Sequence, residues 1–175
     1  MQGFKAIAKL KEFLYLSGVA AITEHRLKKY GITHVLNTAI ELKDLQYPSG
    51  VTDVLRVEMM DKSSENLLKY IDQCIDYIHM VKTNGGRVLV HCVAGMSRSV
   101  SVCLAFLVKY EEMTLKAAYD HIFNERRFIH PNEGFCLLKD YRQIKSHSRP
   151  LTNHSFTNEL LLIPQRTPCQ IKKIP

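Results

Sequence analysis

His91-Cys92-Val93-Ala94-Gly95-Met96-Ser97-Arg98-Ser99 joins two segments with different apolar patterns, and that junction decides the architecture. Upstream, Arg87-Val88-Leu89-Val90-His91 is a short, almost continuously apolar run, the pattern of a central strand covered on both faces. Downstream of Ser97, the positions Val100, Cys103, Leu104, Leu107 and Val108 recur at helical spacing. Cys92 to Met96 is therefore the loop that turns a strand into a helix. A short loop entering a helix N-terminus can aim successive backbone N–H groups at one point, and the helix dipole favours negative charge there. Gly95 tolerates backbone conformations that other residues resist. Arg98 can return over the same point and grip two oxygens with its planar fork. Val93, Ala94, Gly95, Met96, Ser97 and Arg98 are thus the candidate oxyanion-binding set.

The groups that bind an oxyanion also stabilise a thiolate, so Cys92 is the candidate nucleophile of this cradle. A lone cysteine after a strand is ordinarily a small buried hydrophobe. The combination of strand, glycine, arginine at this spacing and helix distinguishes Cys92 from that common case.

Working outward, Phe13-Leu14-Tyr15-Leu16 closed by Ser17-Gly18 reads as a strand, and Val19 to Tyr30 as a helix ended by Gly31. Ile32 to Leu36 and Asp53 to Val57 are strands with Tyr47-Pro48-Ser49-Gly50 as turn chemistry between them. Glu65 to Val81 is an amphipathic helix stopped by Asn84-Gly85-Gly86. Helices are also predicted over Leu115 to Asn124 and Asn132 to Lys145. Strands interleaved with helices predict an α/β fold: a central mixed, mostly parallel sheet flanked by helices. At 175 residues one domain is expected, over 10–145, with a tail over 146–175 where four of the six prolines gather.

The net charge of +7 and pI near 9.2 suggest an anionic partner. The excess is unevenly placed. From Arg142 onward six basic residues face one acid, Glu159, whereas residues 1–141 carry a balance of only +2. The folded part is accordingly not expected to bind nucleic acid. No run of about 18 apolar residues is present, so no stable membrane anchor is expected, and the start lacks a signal-peptide pattern. The five cysteines show no Cys-x-x-Cys spacing. A cytoplasmic location, extending to the nucleus, is expected.

The loop, in the form His-Cys-x-Ala-Gly-x-Ser-Arg-Ser, resembles the signature of the dual-specificity branch of the cysteine-based protein tyrosine phosphatases, particularly its small atypical members. Other segments in family order carry the resemblance: Leu14-Tyr15-Leu16 through Ala20-Ala21, Gly31-Ile32-Thr33-His34-Val35-Leu36-Asn37, and Pro131-Asn132-x-Gly134-Phe135. The resemblance implies a protein tyrosine phosphatase-like fold and hydrolysis of phosphorylated tyrosine, serine and threonine side chains through a cysteinyl-phosphate, with no metal or cofactor. It implies that Cys92 attacks phosphorus, that Arg98 holds the equatorial oxygens, and that Asp61, on a loop before the long helix, is the general acid and then the general base. Asp53 and Glu58 are rival acids. By the same resemblance Ser99 assists departure of the sulfur, His91 braces the loop, and Asn37 and Asn132 pin neighbouring loops.

The uncharged Ala94 and Met96 do not favour a polyphosphorylated lipid headgroup. The expected partners are phosphorylated proteins, signalling kinases among them. The alternatives are a phosphopeptide-binding module of weak activity, which would be expected to lack Cys92, Asp61 or Arg98, and an RNA 5′-phosphatase, which would want a basic, aromatic track beside the loop. A sulfur-transfer or arsenate-reducing enzyme would not need Asp61. The chain departs from the family in Arg127, where many relatives have proline, and in Leu138-Lys139, where they have Gln-Leu.

Overall fold

Alternation along three adjacent strands builds the two faces of the fold. The computed structural model describes residues 5–132. Its five strands are β1 (Ala8–Lys9), β2 (Leu14–Gly18), β3 (His34–Asn37), β4 (Asp53–Arg56) and β5 (Val88–Cys92), in the sheet order β1-β2-β5-β3-β4. The β1/β2 pair is antiparallel and the other pairs are parallel. Successive side chains of a strand point to opposite faces. Leu14, Leu16, Leu36, Val88 and Val90 accordingly enter one core, whereas Tyr15, Val35 and Leu89 enter a second. β5 is buried on both faces, which explains its continuous apolar sequence.

The larger core is covered by α2 (Leu68–Thr83), α3 (Arg98–Tyr110) and α4 (Leu115–Glu125), and the smaller one by α1 (Glu24–Tyr30) through Leu27. α3 lies between α2 and α4, and every residue from Arg98 to Val108 is buried. That all-round burial matches its nearly uniform apolar sequence. The expected α/β class and mixed, mostly parallel sheet are present.

Two helix starts differ from expectation, and one strand is additional. Val19 to Tyr30 is not one helix: Val19–Ala21 forms a 3-10 turn, Ile22 and Thr23 are extended, and α1 begins at Glu24. The Thr23 hydroxyl accepts from the Arg26 N–H at 3.3 Å, an N-cap that sets this start. Helix α2 begins at Leu68 instead of Glu65. The two-residue β1 has no readable pattern in the sequence. The expected helix over 132–145, the tail over 146–175, and Gly134, Phe135, Leu138 and Lys139 lie outside the described residues apart from Asn132. No helix among the described residues is long and apolar enough to cross a membrane.

Candidate active site

The parallel strands β2, β3, β4 and β5 all present their carboxyl ends on one side, where α/β sheets place ligand crevices. β5 delivers Cys92 to this edge and α3 starts at Arg98, leaving Val93 to Ser97 as the connection.

Each outward carbonyl of that connection is held. Val93 O accepts from Val19 N–H at 3.0 Å, and Met96 O accepts from His130 N–H at 2.8 Å. Ala94 O and Gly95 O accept from the Arg126 guanidinium at 3.0 Å and 2.7 Å, and Ser97 O accepts from Ser101 N–H at 2.9 Å. There is no cis peptide among the described residues. In a trans peptide the N–H opposes the preceding C=O, so fixing these oxygens outward turns the N–H groups of residues 94–98 inward. Gly95 adopts φ +69° to close the curve. A Cβ there would lie 2.4 Å from the Ser17 carbonyl carbon, and one on Gly18 would lie 2.7 Å from Ala94 backbone. The end of β2 and the loop therefore fit only as glycine against backbone.

At the floor of the cradle the Cys92 Sγ accepts from Gly95 N–H at 3.2 Å and lies 3.3 Å from Ser99 Oγ. Arg98 is 3% exposed. Its Nη1 donates to Glu41 Oε2 at 2.5 Å and to Met59 O at 3.0 Å. Its buried Nε has no hydrogen-bond partner among the described residues and stands 3.5 Å from Asp61 Oδ2. A desolvated guanidinium N–H that makes no hydrogen bond is a donor suited to an oxyanion. Burial raises the Glu41 carboxyl, but the Arg98 hydrogen bond and charge, with a backbone hydrogen bond, outweigh it and hold the group below its ordinary value.

Asp61 lies over this floor. Its Oδ1 accepts from Ser97 Oγ at 2.9 Å and from Asn132 Nδ2 at 2.8 Å, and Asn132 N–H donates to Ser97 Oγ at 3.1 Å. The fully buried Met59, two residues earlier, anchors the loop to the core. The rival acids are placed otherwise. Asp53 starts β4, at the opposite end of the sheet, and Glu58 is exposed.

His91 lies beneath the loop and is fully buried. Its Nδ1 is 3.3 Å from Cys92 O and its Nε2 is 2.7 Å from Tyr47 OH. A carbonyl can only accept, so Nδ1 is the donor, and Nε2 of the neutral ring accepts from the Tyr47 hydroxyl. Burial pushes the imidazole down to about 4, opposed by the Cys92 carbonyl and aided by the charge of Arg56. Thr38 donates twice to His91 O, from its N–H at 2.9 Å and its hydroxyl at 3.0 Å. Asn37 pins the adjoining turn, donating to Leu42 O at 2.7 Å and accepting from Ala39 N–H at 3.0 Å, and so positions Glu41.

The structure thus brings Cys92, Arg98, Ser99, Asp61, Ser97 and Asn132 together, with His91 and Asn37 beneath and beside them. The sequence reading did not single out Glu41, Thr38, Tyr47 or Arg126. Among the described residues there is no group of three or more His, Cys, Asp or Glu side chains that could hold a metal ion.

Residues 14–144 match the family model of the dual specificity phosphatase catalytic domain. The chain is 42% identical over 127 residues to dual specificity protein phosphatase 1 of Arabidopsis thaliana, covering 72% of this chain and 63% of that protein. It is 34% identical over 150 residues to dual specificity protein phosphatase 14 of Homo sapiens, covering 85% and 72%. The crystal structure of human DUSP28 superimposes with a TM-score of 0.70 at 26% identity, covering 80% of this chain and 93% of that one. The chain spans less than two thirds of the Arabidopsis relative's length.

Proposed function

Because the chain belongs to the dual specificity phosphatase catalytic-domain family, we propose that it hydrolyses phosphotyrosine, phosphoserine and phosphothreonine esters of proteins through a cysteinyl-phosphate. The observation that carries this reading is the shared cradle: Cys92 Sγ at its floor, the buried Arg98 Nε on its wall, and Asp61 3.5 Å from that nitrogen.

In the first step a lone pair of the Cys92 thiolate forms the S–P bond as the P–O ester bond breaks. Arg98 and the inward N–H groups hold the phosphoryl oxygens, where charge concentrates in the transition state. Protonated Asp61 gives its proton to the leaving phenolate or alkoxide. In the second step Asp61 takes a proton from water, the water oxygen attacks phosphorus, and the S–P bond breaks to release phosphate. Ser99, 3.3 Å from the sulfur, donates to the departing thiolate. Asn132 and Ser97 hold the Asp61 carboxylate, and His91, Thr38 and Asn37 brace the backbone around the loop.

Phosphorylated signalling kinases are proposed among the substrates. A cytoplasmic location, extending to the nucleus, is proposed because a nucleophilic thiolate needs a reducing compartment, and Cys74, Cys92 and Cys103 are all unpaired.

The test is turnover of phosphotyrosyl, phosphothreonyl and phosphoseryl peptides by the wild type, Cys92→Ser, Arg98→Lys and Asp61→Asn. The expected result is loss of turnover in Cys92→Ser, with a greater loss in Asp61→Asn for alkyl than for activated aryl phosphates. Unimpaired hydrolysis by Cys92→Ser overturns the nucleophile assignment. Phosphopeptide binding without turnover in the wild type identifies a binding module instead.

A further inference from the structure

The backs of the loop peptides carry a second, buried guanidinium. Arg126, at the C-terminal end of α4, is 2% exposed. Its Nε donates to Gly95 O at 2.7 Å, its Nη2 to Ala94 O at 3.0 Å and its Nη1 to Ala6 O at 3.0 Å. Its guanidinium carbon lies 4.2 Å from the centroid of the Phe128 ring. We propose that Arg126 is a positioning residue for phosphoryl transfer: it locks the loop in its oxyanion-binding form and strengthens the N–H donors that face sulfur and phosphate.

Ala94 O and Gly95 N–H belong to one peptide unit. A cation on that oxygen withdraws electron density from the unit and makes its N–H a stronger donor. That N–H is the one bound to Cys92 Sγ at 3.2 Å. Gly95 O and Met96 N–H form the next unit, so the second Arg126 bond acts on a donor turned into the cradle. The planar fork reaches two successive carbonyls at once, which an ammonium cannot do with the same geometry. Burial lowers the guanidinium to about 10, against the upward pull of the Cys92 charge, which leaves it a cation at neutral pH. The Ala6 bond and the Phe128 ring fix the plane of the fork.

This inference rests on the phosphatase reading, and the experiment separates the two. Tungstate serves as the oxyanion probe. Its affinity, kcat and KM for a phosphotyrosyl peptide, and Tm are measured for the wild type, Arg126→Lys, Arg126→Met and Phe128→Leu. The wild type should bind tungstate and turn over the peptide; failure of both overturns the phosphatase reading itself. Arg126→Met should lose about tenfold or more in tungstate affinity and in kcat, as expected for loss of charged hydrogen bonds, and Arg126→Lys should recover part of that loss. Phe128→Leu keeps the cation and loosens its plane, so a smaller loss of the same kind is expected. Should both Arg126 variants fail to fold, Phe128→Leu decides. Folded variants with a lowered Tm but wild-type tungstate affinity and kcat would show a merely structural role and overturn the proposal.

Discussion

The side-chain amide of Asn132 donates to Asp61 Oδ1 at 2.8 Å, while the Asn132 backbone N–H donates to the Ser97 hydroxyl that holds the same oxygen. The proposed acid is thus fixed by a residue from a distant segment that also fixes its other support. Hydrogen bonds to charged groups contribute about 1.5–3 kcal/mol. Asn132→Ala is expected to lower kcat/KM about tenfold or more, most strongly for alkyl phosphates. In the Asp61→Asn background the same substitution should cost little, because coupled residues are not additive. Steady-state kinetics of the four proteins in the cycle check this.

His91 supplies a pH dependence. Its imidazole is pushed down to about 4 from an ordinary 6.5, chiefly by burial. Between those values the unfolded chain binds the proton and the folded one does not, so stability rises with pH across that window. Acidification from about 6.5 to 4 should therefore remove up to about 3 kcal/mol through this residue. Thermal melts of the wild type and His91→Gln across that range should converge toward low pH once the intrinsic cost of the substitution is included. A constant difference in stability would refute the assignment.

Gly18 tests the backbone contact between β2 and the loop. A Cβ there would meet Ala94 C and O at 2.7 Å and Val93 O at 2.8 Å, backbone atoms that cannot swing aside as a side chain can. Gly18→Ala is expected to cost about 1–3 kcal/mol, the usual range for overpacking. Because the strain falls on Ala94, kcat should drop at least tenfold even well below the Tm. Chemical denaturation and single-turnover kinetics report the two effects separately.

Thiol labelling should be selective. Burial pushes Cys74 up to about 12, and chiefly burial pushes Cys103 higher still. Cys92 is also buried, but it lies at the floor of the cradle, whereas a protonated thiol in the apolar core is a poor nucleophile. Iodoacetate at neutral pH should label Cys92 far faster than Cys74 or Cys103, and tungstate should suppress that labelling. Peptide mapping by mass spectrometry gives the site ratios.

Legibility in the sequence followed the range of the interactions. β5 and α3 were readable because a strand buried on both faces and a helix buried all round must both be nearly uniformly apolar. The break between Val19 and Glu24 was missed although Thr23-Glu24 carried a capping signal, because the apolar spacing continues across it. Cys92, Arg98 and Ser99 are close in sequence and could be placed by a local pattern. Arg126 reaches carbonyls more than 30 residues away, and Glu41 reaches Arg98 across 57. Such pairings depend on the sheet order, which no local spacing contains. Arg127, the charged departure visible in the sequence, lies with its guanidinium 5.3 Å from the Phe123 ring, while its neighbour Arg126 grips the loop.

The two rims of the sheet bear on how the protein behaves at high concentration. An unpaired strand flank invites another chain to add on, and short or charged flanks discourage it. One rim, β1, has only two residues and ends at the exposed Lys9; the other, β4, carries exposed Asp53 and Arg56 at its ends. Intermolecular strand addition therefore meets a very short template on one side and charge on the other. The two flanks thereby leave little opportunity for copies of the chain to stack through the sheet.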